Sequence, residues 1–206
     1  MRHRSIDLIV LKLLLALALV GLSVVSIAMA RTETRPLPVR IPPPPEFELR
    51  LAEDGQSFEM GGRVDFGLTA AFRKLVAAHP EVRRLTLDSH GGYIAEARGV
   101  VTVLRAHGIA THVERHCASA CALIFAGGAT RTLASDAQIG LHGYSLGKDR
   151  HFGMIDPEVE MQRDLAIYRA QGIDEAFILR LAGLPQAPMW YPDRAELLAS
   201  RMITAP

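Results

Sequence analysis

The chain predicts an α/β fold, and three observations carry that prediction. Between residues 84 and 145 short strand-like segments alternate with apolar helical ones, a pattern that implies parallel strands joined by crossover helices. Glycine pairs, Gly91-Gly92 and Gly127-Gly128, punctuate the segment ends. The roughly 160 residues after position 45 suffice for one domain with its own core.

The first 45 residues do not read as globular. Arg2 and Arg4 make a positive start, Leu13 to Ala30 carries no charge, and Ala28-Met29-Ala30 fits a small-x-small cleavage site before Arg31. Residues 1–30 therefore read as a cleaved signal peptide or an uncleaved anchor holding residues 5–30 in a membrane; the run is near the roughly 17 to 20 residues that a span needs. Either reading puts the domain outside the cytoplasm, because positive charge stays inside. Residues 31–45 form a linker, and the run Arg35 to Pro45 favours extended polyproline II.

The domain proper runs from 46 to 206. Phe47 to Met60 alternates as a hairpin turning at Glu53-Asp54-Gly55, and Gly61-Gly62 breaks it. Leu68 to Ala78 places Phe72, Leu75 and Val76 at helical spacing and ends at His79-Pro80. Arg84 to Asp88 is a short strand with Leu85 and Leu87 on one face, and Ser89-His90-Gly91-Gly92 turns the chain. Tyr93 to Ala106 aligns Ile94, Ala97, Val101 and Leu104 as a helix, which Gly108 ends. Ile109 to His116 alternates as a strand. Ala120 to Ala126 is almost wholly apolar, so it predicts a helix buried on all sides. Arg131 to Ala134 and Gln138 to Tyr144 are further strands. Pro157 to Ala170 and Asp174 to Ala182 are helices, the second capped by Asp174. Ala195 to Arg201 adds a last helical turn or two.

Charge excludes one class of function. With 23 basic and 22 acidic residues the net charge is +1, which leaves no footprint for nucleic acid. Eight histidines include no His-Glu-x-x-His zinc spacing, and the glycine spacing does not match a dinucleotide fingerprint. Neither a metal nor a cofactor is expected.

Three features suit acyl transfer. Gly91-Gly92 lies between a strand and a helix, where bare N–H groups and a helix start favour negative charge. Gly92 N–H is a candidate oxyanion donor, and Gly91 and His90 are candidate substrate contacts. Ser119 opens the apolar helix, a place that suits an N-cap equally well; as nucleophile it would use Ala120 N–H as the second donor. His142, among Ile139, Gly140, Leu141 and Gly143, is a candidate base, although a core histidine has the same signature. Cys117 and Cys121 flank Ser119 as two buried thiols or as a disulfide. For the acid of a triad, Asp156, Asp164, Asp174 and Asp193 all follow His142, and the sequence does not choose among them.

Leu85 to Gly92, Cys117 to Ala122 and Ile139 to His142 resemble the Clp protease proteolytic-subunit family, whose wider clan includes the crotonases. The resemblance covers roughly residues 56 to 204. It implies stacked β-β-α units with two roughly perpendicular sheets, an arm helix around 157–171, and a serine peptidase using Ser119, His142, Gly92 and Ala120. A homo-oligomer is compatible with it. His90 stands where the family has proline, and the family's acid aligns near Pro185, where there is no carboxylate. The family's unfolding ATPase has no place beside a domain outside the cytoplasm.

The expected activity is hydrolysis of peptide or protein substrates in the cell envelope. A catalytically inert peptide- or partner-binding domain and a crotonase-type acyl-CoA enzyme are the alternatives. An α/β-hydrolase fits less well, since Cys-Ala-Ser-Ala-Cys lacks the flanking glycines of that family's serine turn.

Overall fold

The structure is a computed structural model that describes residues 10–19, 46–144 and 156–205. It divides into two compact units, Met1–Pro43 and Pro44–Pro206. In the first, residues 10–19 form a helix, α1, with Leu11, Leu13, Leu14, Leu15 and Leu17 exposed. The expected cleavage site and the proline-rich linker lie outside the described residues. Among the described residues no helix is long and apolar enough to cross a membrane.

The second unit is α/β. Its elements are β1 (Phe47–Leu51), β2 (Phe58–Val64), α2 (Leu68–Ala78), β3 (Arg84–Gly92), α3 (Ile94–His107), β4 (Ala110–Ala118), α4 (Ala120–Ala126), β5 (Arg131–Leu133), β6 (Gln138–Gly140), α5 (Pro157–Ala170), α6 (Glu175–Ala182) and α7 (Arg194–Ala199). The six strands form one mixed sheet in the order β1-β2-β3-β4-β5, with β6 also on β4. Among the pairings of these strands only the β1–β2 hairpin is antiparallel. β5 and β6 follow one another along β4: Thr111 to Val113 pair with Arg131 to Leu133, and His116 to Ala118 with Gln138 to Gly140.

Two expectations are corrected. The glycine pairs at 61–62 and 91–92 do not stop their strands: β2 runs to Val64 through a register irregularity and β3 runs to Gly92. Ladder bonds to a neighbouring strand outweigh the weak strand preference of glycine. The strand expected over Gln138 to Tyr144 stops at Gly140, and Leu141 bridges to Trp190 instead.

Burial follows the strand period. On β3, Leu85, Leu87, Ser89 and Gly91 are buried, while His90 on the opposite face is exposed. All seven residues of α4 are buried, as its apolar sequence requires. The sheet's other face carries Glu48, Arg50, Glu59, Asp88, Glu114 and Arg115, with Arg50 paired to Glu59 and Arg115 to Asp88. A buried Arg131 ties the C-terminal segment to β5, donating to the carbonyls of Met202, Gly128 and Arg201.

The start of α2 is capped from outside. Its N-cap residue, Gly67, has no side chain to do it. Glu96 of α3 accepts from Gly67 N–H at 3.0 Å and Thr69 N–H at 2.8 Å. Partial burial raises the Glu96 pKa, but these bonds and that of the Thr69 hydroxyl outweigh it, so the carboxyl lies below its ordinary value. A carboxylate with a depressed folded pKa stabilises the fold above its unfolded pKa and loses that contribution as pH falls through the folded one. Glu96→Gln is expected to cost about 1 kcal/mol at neutral pH, as a lost cap does, and to flatten the fall of stability below about pH 4.5. Urea unfolding of both proteins at stepped pH checks this; parallel curves would refute it.

Candidate active site

Ser119 is the one residue between β4 and α4. It stands at the N-cap position, yet its side chain makes no cap hydrogen bond. Its Oγ lies 2.7 Å from His142 Nε2 instead. The backbone there is unusual, with φ 56° and ψ −125°. A non-glycine residue in this region costs about 1 to 3 kcal/mol and persists only where its surroundings over-determine it. Here Ser119 N–H donates to Gly140 O at 2.9 Å, and Ser119 O accepts from Ala122 N–H at 2.9 Å. Gly91 closes the other side. A Cβ on Gly91 would lie 2.6 Å from Ala118 O and 2.7 Å from Ser119 Cβ, and its φ of 95° further favours glycine. Cys117 and Cys121 are joined in a disulfide with Cα atoms 5.2 Å apart, which settles the choice the sequence left open.

His142 sits on a short segment anchored at three points. Leu141 exchanges two 2.8 Å backbone bonds with Trp190, and Gly143 N–H donates to Pro185 O at 2.9 Å. The Tyr144 hydroxyl donates to Asp164 Oδ2. The His142 Nδ1 lies 2.7 Å from Gly143 O. A carbonyl can only accept, so Nδ1 carries the proton and the Nε2 lone pair faces the Ser119 hydroxyl. That tautomer is the one a general base needs.

The four candidate acids separate cleanly. Asp156, Asp174 and Asp193 are helix caps, accepting from Glu158, Ala176 and Glu196 N–H at 2.9, 2.9 and 2.7 Å. Asp164 is buried and held by Arg98, with Nε to Oδ1 at 2.5 Å and Nη2 to Oδ2 at 3.1 Å. Glu160 also pairs with Arg98. Burial acts to lower the Arg98 pKa, but its bonds to Asp164 and Glu160 prevail and raise it. Burial first, then the neighbouring Tyr168 and the charge of Asp164, pushes the Tyr144 hydroxyl well up. Among the described residues no carboxylate bonds His142; the Gly143 carbonyl takes the place where a triad has its acid. At Pro185 a backbone carbonyl holds the His142 segment.

Ser119, His142, Gly92 and Ala120 line one open groove of about 470 Å³, with Tyr93, Ile94 and Ala95 on its wall. Ala120 is the first residue of α4, where an N–H has no acceptor within the helix. Gly91 and His90 are not among the lining residues. Gly91 packs under the serine turn, and His90 stacks on His116 with ring centroids 4.5 Å apart. Burial, then the charge of His90, pushes the His116 imidazole down against the pull of Asp88. A second, smaller and more enclosed cavity of about 30 Å³ adjoins Ser119 and His142, lined by Leu123, Leu141, Met161 and Leu165 with Tyr144 and Asp164 at its polar side. Among the described residues no three His, Cys, Asp or Glu cluster as metal ligands.

The sequence did not signal Arg98 or the segment around Trp190. Tyr144 had one usable cue, its place beside the candidate base.

Fold and site together define an α/β domain with a serine–histidine pair set at a strand-to-helix turn. No family model matches the chain, and no curated protein matches it.

Proposed function

We propose that this protein is a Clp-like serine hydrolase that cleaves peptide or protein substrates outside the cytoplasm. The observation that carries the proposal is Ser119 itself: a helix-opening serine at φ 56° that forgoes its cap and points Oγ at His142 Nε2, whose other ring nitrogen faces the Gly143 carbonyl. In the reaction Ser119 Oγ attacks the carbonyl carbon while its proton passes to His142 Nε2. Gly92 and Ala120 N–H take the developing oxyanion. The imidazolium then protonates the leaving amine as the C–N bond breaks, and water, deprotonated by His142, releases the acyl group. The Gly143 carbonyl orients the ring as an acid would, although it lacks the full charge that steadies an imidazolium.

A fluorophosphonate, followed by peptide mapping, tests the proposal. A single adduct on Ser119 is expected. No adduct, or one elsewhere, would overturn it. The small cavity behind Ser119 adds a selectivity prediction. Its 30 Å³ has room for about one or two waters, so the acyl residue entering it is small. An alanyl ester should exceed the phenylalanyl ester in kcat/KM by about tenfold or more, and Met161→Ala should narrow the gap. Equal rates for both esters in the unaltered protein would count against this assignment.

A second reading, an inert domain that binds peptides or partners in the same groove, is favoured by one observation, the carbonyl in place of an acid at His142 Nδ1. The fluorophosphonate separates the two, since an inert site acquires no adduct.

A further inference from the structure

We propose that the Cys117–Cys121 disulfide is a positioning clamp for the nucleophile, so that hydrolysis at Ser119 depends on the oxidised state of this pair. The inference rests on the serine hydrolase reading.

The placement of the bridge carries it. The cysteines stand two residues before and two after Ser119, and the bond closes a ring with a sequence separation of 4. The chain-entropy gain from a cross-link grows with the logarithm of loop length, so a ring this short lies near the bottom of that scale. A bridge serving the fold at large would span a longer loop. This one constrains only the turn that contains the serine.

That turn needs a constraint. Ser119 has φ 56°, a conformation that relaxes unless it is held. Its neighbours Ala118, Ala120 and Ala122 offer only methyl groups to lock it by packing. Cys117, in contrast, is fixed between Ser89 on β3 and Ile139 on β6, and Cys121 lies in the first turn of α4. The bond therefore joins the rigid strand to the helix start across the strained residue. Without it only the Ser119 backbone bonds to Gly140 and Ala122 and the packing of α4 hold the turn; on this proposal they do not suffice, φ of Ser119 returns to negative values, and Oγ leaves the His142 Nε2 lone pair. Both cysteines are fully buried, so on reduction the two sulfurs, no longer bonded, have to part within the packed surroundings of the turn.

The test uses the full chain in three forms: oxidised, Cys117→Ala/Cys121→Ala, and wild type refolded in dithiothreitol. In the last, dithiothreitol supplies two electrons and two protons, leaves two protein thiols and becomes its own cyclic disulfide. Fluorophosphonate labelling and kcat for an alanyl ester are expected to fall about tenfold or more in both altered forms, with KM within about twofold and the unfolding midpoint close to that of the oxidised protein. Both altered forms reacting at the oxidised rate would overturn the clamp and leave Ser119 as nucleophile. A crystal structure of the double variant gives a readout independent of turnover. Ser119 at negative φ with its His142 bond lost is expected; an unchanged φ and bond would overturn the clamp even if the oxidised protein proved inert, an outcome that would sink the hydrolase reading alone.

Discussion

Ser119→Ala is expected to abolish fluorophosphonate labelling and to lower kcat by a factor on the order of a million, the scale found when the nucleophile of a serine–histidine site is removed. The residual rate would come from the oxyanion donors and binding alone. The fold should survive. Ser119 Oγ makes no cap bond, its partner among the described residues is His142 Nε2, and the two backbone bonds of Ser119 do not involve the side chain. Alanine has no better access to φ 56° than serine, so the strain stays the same. The checks are turnover of an alanyl ester, intact-mass measurement after labelling, and thermal unfolding. Turnover that persists in a folded Ser119→Ala protein would remove Ser119 from the mechanism.

Asp164→Ala is expected to be the most destabilising single change, by about 3 to 5 kcal/mol, or roughly 10 °C in unfolding midpoint for a domain of this size. Asp164 is 1% exposed and accepts from both Arg98 and Tyr144. Its loss strands a charge with raised proton affinity beside an apolar cavity, since Glu160 satisfies only part of the guanidinium. It also frees Tyr144, two residues from the base, so labelling at Ser119 should slow as well. The logic of buried pairs gives the discriminating control. Arg98→Met/Asp164→Ala removes both charges and should be markedly more stable than Asp164→Ala alone. A double variant as unstable as the sum of its parts would mean that the pair is not the unit of stability.

Much of the framework was legible locally. α2, α4 and α5 begin and end at the expected residues, because periodicity, a run without polar residues and a proline start all act within a few positions. The glycine pairs, breaks by local preference, are not breaks in the fold. Gly61-Gly62 and Gly91-Gly92 remain in strand because Val64 pairs with Gly92 and Gly61 with Asp88, and partners some 28 residues away leave no mark on local composition. The two expected near-perpendicular sheets came from resemblance, whereas the strands form a single sheet.

Residue types and spacing alone were enough to nominate Ser119, His142, Gly92 and Ala120, and to show that three of the four aspartates precede helices. Folding decided the rest. It turned Ser119 away from its cap, closed the bridge around it, gave His142 a carbonyl instead of a carboxylate, and sent Asp164 to an arginine 66 positions earlier in the chain. The division has a physical origin. Propensities and caps depend on neighbours a turn or two away, while a tautomer or a buried ion pair depends on which groups meet when distant elements pack.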